Sequence, residues 1–328
     1  MNFIIAILLI VSVKNLYAAS IGEQLAPGIR EKLQKNEAIT ILFLGDSNTA
    51  GCGTSDYAGN KTIPGLIASR LANEYSHGNE IGVVRIDRDA FRGQTVDAEL
   101  CRAYKERTIA VKQGSSGVNH ILIRDGLGGA TSQRLLEQSD QTLLWLRDHR
   151  ITQIDLLVLM VGINDSIIQR GNSPEDFERN VRKLIEKLND SQPHSLHISF
   201  KEILLVTSFS NGSIIAGKAD GAGHPFISIR EDSTCEAALK SKKKYPNGVC
   251  DLALYNKRLQ SISKTSAENV YYLDIAGLML QSAGFVAGDI DLAVRRKIRR
   301  WMTKDDVFHP NDAGYQMMAD RIFQTIFN

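Results

Sequence analysis

Ser47 stands in Gly45-Asp46-Ser47, directly after the apolar run Ile39-Thr40-Ile41-Leu42-Phe43-Leu44. Far along the chain, Asp306 and His309 form an Asp-x-x-His pair in Asp306-Val307-Phe308-His309. Between them lie a glycine-rich stretch, Gly126-Leu127-Gly128-Gly129-Ala130-Thr131, and the short block Gly162-Ile163-Asn164-Asp165. A serine hydroxyl is a poor nucleophile until a base takes its proton. The base needs an acid to orient it, and the oxyanion that develops needs fixed donors. Ser47, His309 and Asp306 are the candidates for nucleophile, base and orienting acid. The candidate oxyanion donors are the backbone amides of Ser47 and Gly129, with Gly128 as the competing glycine, and the side chain of Asn164. The chemistry this set allows is acyl transfer.

Each motif carries little by itself. A serine after a strand is usually a helix cap, and Gly-x-Asn-Asp in isolation is a strand-ending turn. Their joint order, each after a suitable element, is what points to a site. Other sites fail on residues. Gly51-Cys52-Gly53 lacks the lysine of a phosphate-binding loop, and no Gly-x-Gly-x-x-Gly follows the first strand. No Gly-x-Ser-x-Gly elbow surrounds Ser47. His194 and His197 have no helix with glutamate beside them, so surface loop histidines are expected there, and His224 falls in a glycine-rich loop.

The elements that must hold these groups alternate along the chain. Strand-like runs are expected at residues 40–44, 119–123, 154–161, 202–208 and 269–275, and helices at 64–74, 132–148, 251–266 and 312–326. The clearest helix start is Ser173-Pro174-Glu175-Asp176: a capping serine, proline at the first position and acids in the first turn. Phe177, Val181, Leu184, Ile185 and Leu188 then share one face. Continuous apolar strands alternating with helices predict a doubly wound parallel sheet covered on both faces, with ligands at the carboxyl ends of its strands. Residues 75–117 and 209–250 break the alternation and are expected to be insertions in a single domain spanning 20–328.

Taken together, the blocks resemble those of the SGNH hydrolases, also called GDSL-type esterases and lipases. Ser47 in Gly-Asp-Ser matches the nucleophile block, Gly129 the second-block glycine, Asn164 the third-block asparagine, and Asp306 and His309 the final Asp-x-x-His. Asn48 departs from the apolar residue that often follows the serine, and Asp125 from a common asparagine. The resemblance implies a flavodoxin-like three-layer α/β/α sandwich and a serine esterase acting on lipid, short-chain or O-acetyl esters, with no cofactor and no metal. The same triad would serve an acyl- or acetyltransferase, and a non-catalytic secreted binding protein on this fold is the reading from another class.

The rest of the 328-residue chain sets the context. Residues 3–13 are apolar apart from Ser12, and small residues follow at 18–20, so residues 1–19 are expected to be a signal peptide and the protein secreted or periplasmic. Four cysteines in an exported chain favour two disulfides; of the three possible connectivities, Cys235–Cys250 with Cys52–Cys101 is the one expected. The cysteines lack metal-ligand spacing. A net charge of +2 without long like-charge blocks gives no sign of a nucleic-acid partner. The expected partner is the ester substrate, a lipid or acylated carbohydrate, and the expected state a monomer. Two basic clusters, 240–244 and 295–301, are solvated surface on the bland reading and a contact for an anionic surface on the sharper one.

Overall fold

The computed structural model describes residues 25–55, 59–75, 80–86, 108–112, 119–189, 198–207, 227–284, 298–303 and 308–327. The strands among them are β1 (Thr40–Gly45), β2 (Glu80–Arg85), β3 (Thr108–Lys112), β4 (Asn119–Gly126), β5 (Gln153–Met160), β6 (Ser199–Val206), β7 (Ile227–Ile229), β8 (Gly248–Cys250) and β9 (Val270–Leu273). Seven form the central sheet in the order β3-β2-β4-β1-β5-β6-β9, and β7 and β8 pair separately. Every pairing in the central sheet is parallel except that of β3 with β2. The chain moves from β1 outward to β2, returns to β4, then crosses to β5 on the other side of β1. That reversal creates a switch point beside β1, where open α/β sheets keep their ligands.

Helices cover both faces, as a sheet buried on two sides requires. On one side lie α1 (Pro27–Gln34), a single turn α2 (Ser47–Ala50) at the sheet edge, and α3 (Ile63–Glu74). On the other lie α4 (Ser132–Asp148), α5 (Pro174–Asn189), α6 (Asp232–Lys240) and α7 (Leu252–Thr265). The last two, α8 (Ile275–Ser282) and α9 (Asp312–Phe327), return to the first side. The alternation of β1 shows the division. Ile41 and Phe43 join a core with Ile29, Ile67, Leu71 and Phe323, whereas Leu42 and Leu44 join one with Leu135, Phe177, Leu184 and Leu259. The result is the three-layer α/β/α sandwich expected from the sequence.

Local chemistry explains several boundaries. Ser173 Oγ accepts from Asp176 N at 3.0 Å, and the five apolar residues expected on the face of α5 are all buried. Thr131 caps α4 and Asp251 caps α7 through side-chain oxygens. Three expectations need correction. Residues 75–117, read as an insertion, supply β2 and β3, and β2 is a parallel strand of the sheet with Ile81 and Val83 buried. The strand expected to reach Ile275 stops at Leu273, because Asp274 Oδ1 accepts from Gly277 N at 2.9 Å and starts α8. The strand expected from 202 begins at Ser199. Of residues 209–250, the described stretch 227–250 contributes no strand to the central sheet. Their described part is β7, α6 and β8, stapled by a Cys235–Cys250 disulfide with Cα atoms 5.6 Å apart.

Candidate active site

The carboxyl ends of three neighbouring strands are level. Gly45 at the end of β1 is in register with Gly126 of β4 and Met160 of β5. The blocks that follow these strands therefore emerge side by side. Close approach there depends on missing side chains. A Cβ on Gly45 would collide with the Met160 carbonyl and the Thr49 hydroxyl, and one on Gly126 with the backbone of Ala50. Asp46 follows β1 as the N-cap of α2, its Oδ1 accepting from Asn48 N at 2.9 Å. Ser47 is the first residue of that turn and is 5% exposed.

His309 reaches Ser47 from the other end of the chain, with Nε2 2.8 Å from Ser47 Oγ. A compact turn ahead of α9 aims it. Thr303 N donates to His309 O at 3.1 Å, and Asn311 N donates to Trp301 O at 2.8 Å. Asn311 Nδ2 donates to the carbonyls of Arg300 and Met302, at 2.7 and 2.9 Å, while its Oδ1 accepts from Gly314 N. The loop after Ser47 is pinned to the same helix. Tyr315 Oη donates to Cys52 O at 2.7 Å, and Asp312 accepts from Ser55 N, Ser55 Oγ and Lys61 Nζ. Gly53, at φ 94°, lies against this turn: a Cβ there would clash with Pro310 O and press on His309 Cβ. Two segments more than 250 residues apart are thus clamped so that hydroxyl and imidazole meet.

The other two blocks flank the serine. Ala130 N donates to Leu127 O at 3.1 Å, closing a turn in which Gly129 has φ 69°. Positive φ at the second central position calls for glycine. Gly128 is outside that left-handed region, so Gly129 is the glycine this turn demands. Asn164 is 4% exposed, and its Nδ2 donates to Ala130 O at 3.0 Å. One amide hydrogen is thereby committed to the glycine block, which leaves the second at a fixed angle. Asp165, beside it, is fully buried. Its carboxylate accepts from Ser132 Oγ at 2.6 Å, Asn172 Nδ2 at 2.7 Å and Ser132 N at 3.0 Å.

Burial sets the electrostatics. Loss of water pushes the Asp46 carboxyl up from 3.8 to about 7, against the opposing pull of the Asn48 amide and His309, with Asp165 adding to the rise. Asp165 itself rises from 3.8 to about 6, again through burial, held down by its bonds from Ser132 and Asn172. Burial also raises Tyr255, whose hydroxyl donates to Asp165 O and Asn172 O.

Of the site residues expected from sequence, Ser47, His309, Asn164 and the Gly129 turn are brought to one edge of the sheet. Asp306, Cys101, His194, His197 and His224, with residues 1–19, lie outside the described residues. Cys52 is in a disulfide, for which Cys101 was the expected partner. Asp125 faces away from the site, its Oδ2 accepting from Thr142 Oγ1 at 2.7 Å under α4. Asn48 is buried beside the serine. In the first basic cluster Lys243 and Lys244 are exposed, while Lys242 donates to Gln169 O. In the second, Arg299 and Arg300 are exposed and Trp301 packs against the core. Among the described residues no group of three or more His, Cys, Asp or Glu could hold a metal. Sequence reasoning missed Asp165 and the clamp of Ser55, Lys61 and Asp312. The one available signal was the carboxylate directly following Asn164.

A buried serine bonded to a histidine, at the carboxyl edge of a parallel α/β/α sandwich, is the arrangement of a serine acyl hydrolase. The chain belongs to the GDSL-like lipase/acylhydrolase family, whose model matches residues 41–322, and is accordingly a carboxylic ester hydrolase. Similar solved structures include a lipase/acylhydrolase from Enterococcus faecalis, at 12% identity over 88% of this chain and 95% of that one, TM-score 0.46. A carbohydrate acetylesterase family member from Sinorhizobium meliloti is similar at 12% identity over 88% and 99%, TM-score 0.44. An inhibitor-bound aryl esterase from M. smegmatis shows 13% identity over 86% and 95%, TM-score 0.46. No curated protein matches the chain. The family match, and not these distant likenesses, places it.

Proposed function

We propose that this protein is an exported serine esterase in which Ser47 is the nucleophile, His309 the general base and Asp306 the acid that orients it. The 2.8 Å approach of His309 Nε2 to Ser47 Oγ carries the reading. Ser47 Oγ attacks the ester carbonyl as its proton passes to His309 Nε2. The carbonyl oxygen becomes an oxyanion held by the amides of Ser47 and Gly129 and by the second hydrogen of Asn164 Nδ2, each donor worth roughly 3 kcal/mol in related chemistry. The C–O bond to the alcohol breaks, His309 returns the proton to the departing alkoxide, and an acyl-serine remains. Water, deprotonated by His309, then releases the acid and regenerates Ser47.

The substrate is a lipid, short-chain or O-acetyl ester. A panel of p-nitrophenyl esters of increasing chain length, run beside acetylated polysaccharides, ranks the three. The leader at residues 3–13 and the Cys235–Cys250 disulfide support export. The central test is Ser47→Ala. It should abolish ester hydrolysis and leave the fold intact, while a serine-reactive phosphonate labels the native protein at Ser47. Labelling of the Ser47→Ala variant at full stoichiometry would overturn the assignment.

A further inference from the structure

Asn164 and the Gly129 turn come from different strands, β5 and β4, yet an oxyanion must be met by both at once. The spacing between them is therefore a mechanical problem, and a donor displaced by even a fraction of an ångström loses its value. Two links join the segments. One is the single bond from Asn164 Nδ2 to Ala130 O at 3.0 Å. The second is the Asp165 carboxylate, which grips Ser132, three residues after Gly129, through both the backbone amide and the hydroxyl.

We infer that Asp165 is a positioning residue of the oxyanion site: its carboxylate bridges the Asn164 segment to the start of α4 and fixes Asn164 against the Gly129 turn. The inference rests on the esterase reading above. The surroundings fit such a role. Ser132 Oγ, which gives its hydrogen to Asp165, accepts from Asn180 Nδ2 at 3.3 Å, and Asn172 Nδ2 adds a further bond to the carboxylate at 2.7 Å. From behind, Tyr255 Oη donates to the Asp165 carbonyl at 3.0 Å and to the Asn172 carbonyl at 2.8 Å. Carboxylate and carbonyl of one residue are thus held by α4, α7 and the turn between β5 and α5, while α5 braces Ser132 through Asn180. An acceptor-only group suits this place, since every partner of the side chain is a donor. An amide there would turn one N–H toward the Ser132 N–H and set two donors against each other.

The test uses the full chain with Asp165→Asn and Ser132→Ala. Active sites are counted by phosphonate titration of Ser47, and kcat and KM for p-nitrophenyl acetate are expressed per titrated site. For Asp165→Asn we expect kcat per site to fall about tenfold, the effect of one strained charge-assisted hydrogen bond, with KM within about twofold. Inhibition by a trifluoromethyl ketone, whose hemiketal oxygen occupies the oxyanion position, should weaken in proportion to kcat. Ser132→Ala, which removes only the hydroxyl leg, should show the same pattern with a smaller loss, and it serves if Asp165→Asn does not fold. A merely structural role would lower the number of titrated sites and leave kcat per site and ketone affinity unchanged, which would overturn the inference. Wild-type protein that neither titrates nor turns over would instead overturn the esterase reading, and this one with it.

Discussion

Asp46 has one carboxyl oxygen bonded to the Asn48 amide, while its buried Oδ2 has no hydrogen-bond partner among the described residues. It is needed as an N-cap, a role that asparagine fills equally well. Its charge is another matter, since burial lifts the group from 3.8 to about 7. A raised folded value means that the native state holds the proton more tightly than the unfolded chain. As pH rises from about 4 to about 7 the unfolded chain ionises first, so this group's contribution to stability declines across that window and is level on either side. Asp46→Asn cannot ionise. It should match the native protein at pH 4 and exceed it at pH 8 by something on the order of 4 kcal/mol. Denaturant unfolding at unit pH steps measures the difference, and a gap that does not change with pH sinks the argument. The same residue shows what a motif conceals: Gly-Asp-Ser reads as a nucleophile signature, but the sequence does not show that the middle residue sits in a dry site.

Among elements, β8 carries a duty beyond its length. It pairs in parallel with β7, yet its other edge is bonded to the segment that holds Asn164 and Asp165. Cys250 N donates to Ser166 O at 2.8 Å and Ile168 N to Gly248 O at 3.0 Å. The Cys235–Cys250 bridge ties this strand to α6, with Cys235 Sγ 3.8 Å from the Tyr255 hydroxyl that braces Asp165. A bridge of this loop length contributes about 3 kcal/mol by restricting the unfolded chain. Here it also stiffens the backing of the oxyanion segment. Replacing both cysteines by alanine should therefore lower kcat per titrated active site several-fold, while far-ultraviolet circular dichroism of the central sheet and helices stays native. Unchanged turnover per site would confine the bridge to stability. The Cys235–Cys250 pairing is the one expected among the three connectivities that four cysteines allow. The contact of β8 with residues 166–168 was not, because a three-residue strand bonded across 80 positions leaves no periodic trace.

At the scale of the whole molecule, the legible parts were those whose signals are local. The run before Ser47 and the cap, proline and apolar face of α5 each declare themselves within one window. β2 did not, because Gly82 and the flanking Glu80 and Arg85 mask a strand whose burial comes from its place between β4 and β3. α1 escaped for a similar reason: Gly28 N at its start is satisfied by Glu202 of β6, 174 residues away, and not by a neighbouring cap. The site followed the same rule. Motif residues could be named, but the clamp from Asp312 to Ser55 and Lys61 is purely tertiary. Compartment is the one whole-molecule property that both kinds of signal address. On the proposed reading the apolar leader at residues 3–13 would direct export, and the disulfide-bonded Cys52, Cys235 and Cys250 suit an oxidising destination. Protein collected after export should start at residue 19 or 21 and contain no alkylatable thiol. Peptide mapping without reductant should recover Cys235 joined to Cys250 and Cys52 joined to Cys101. Four free thiols in protein that keeps its leader would refute export, and Cys52 joined to Cys235 or Cys250 would refute the connectivity. The two outcomes differ in meaning: the first removes the oxidising compartment, whereas the second requires α6 or β8 to be covalently linked to the loop after Ser47, at odds with the Cys235–Cys250 bond seen here.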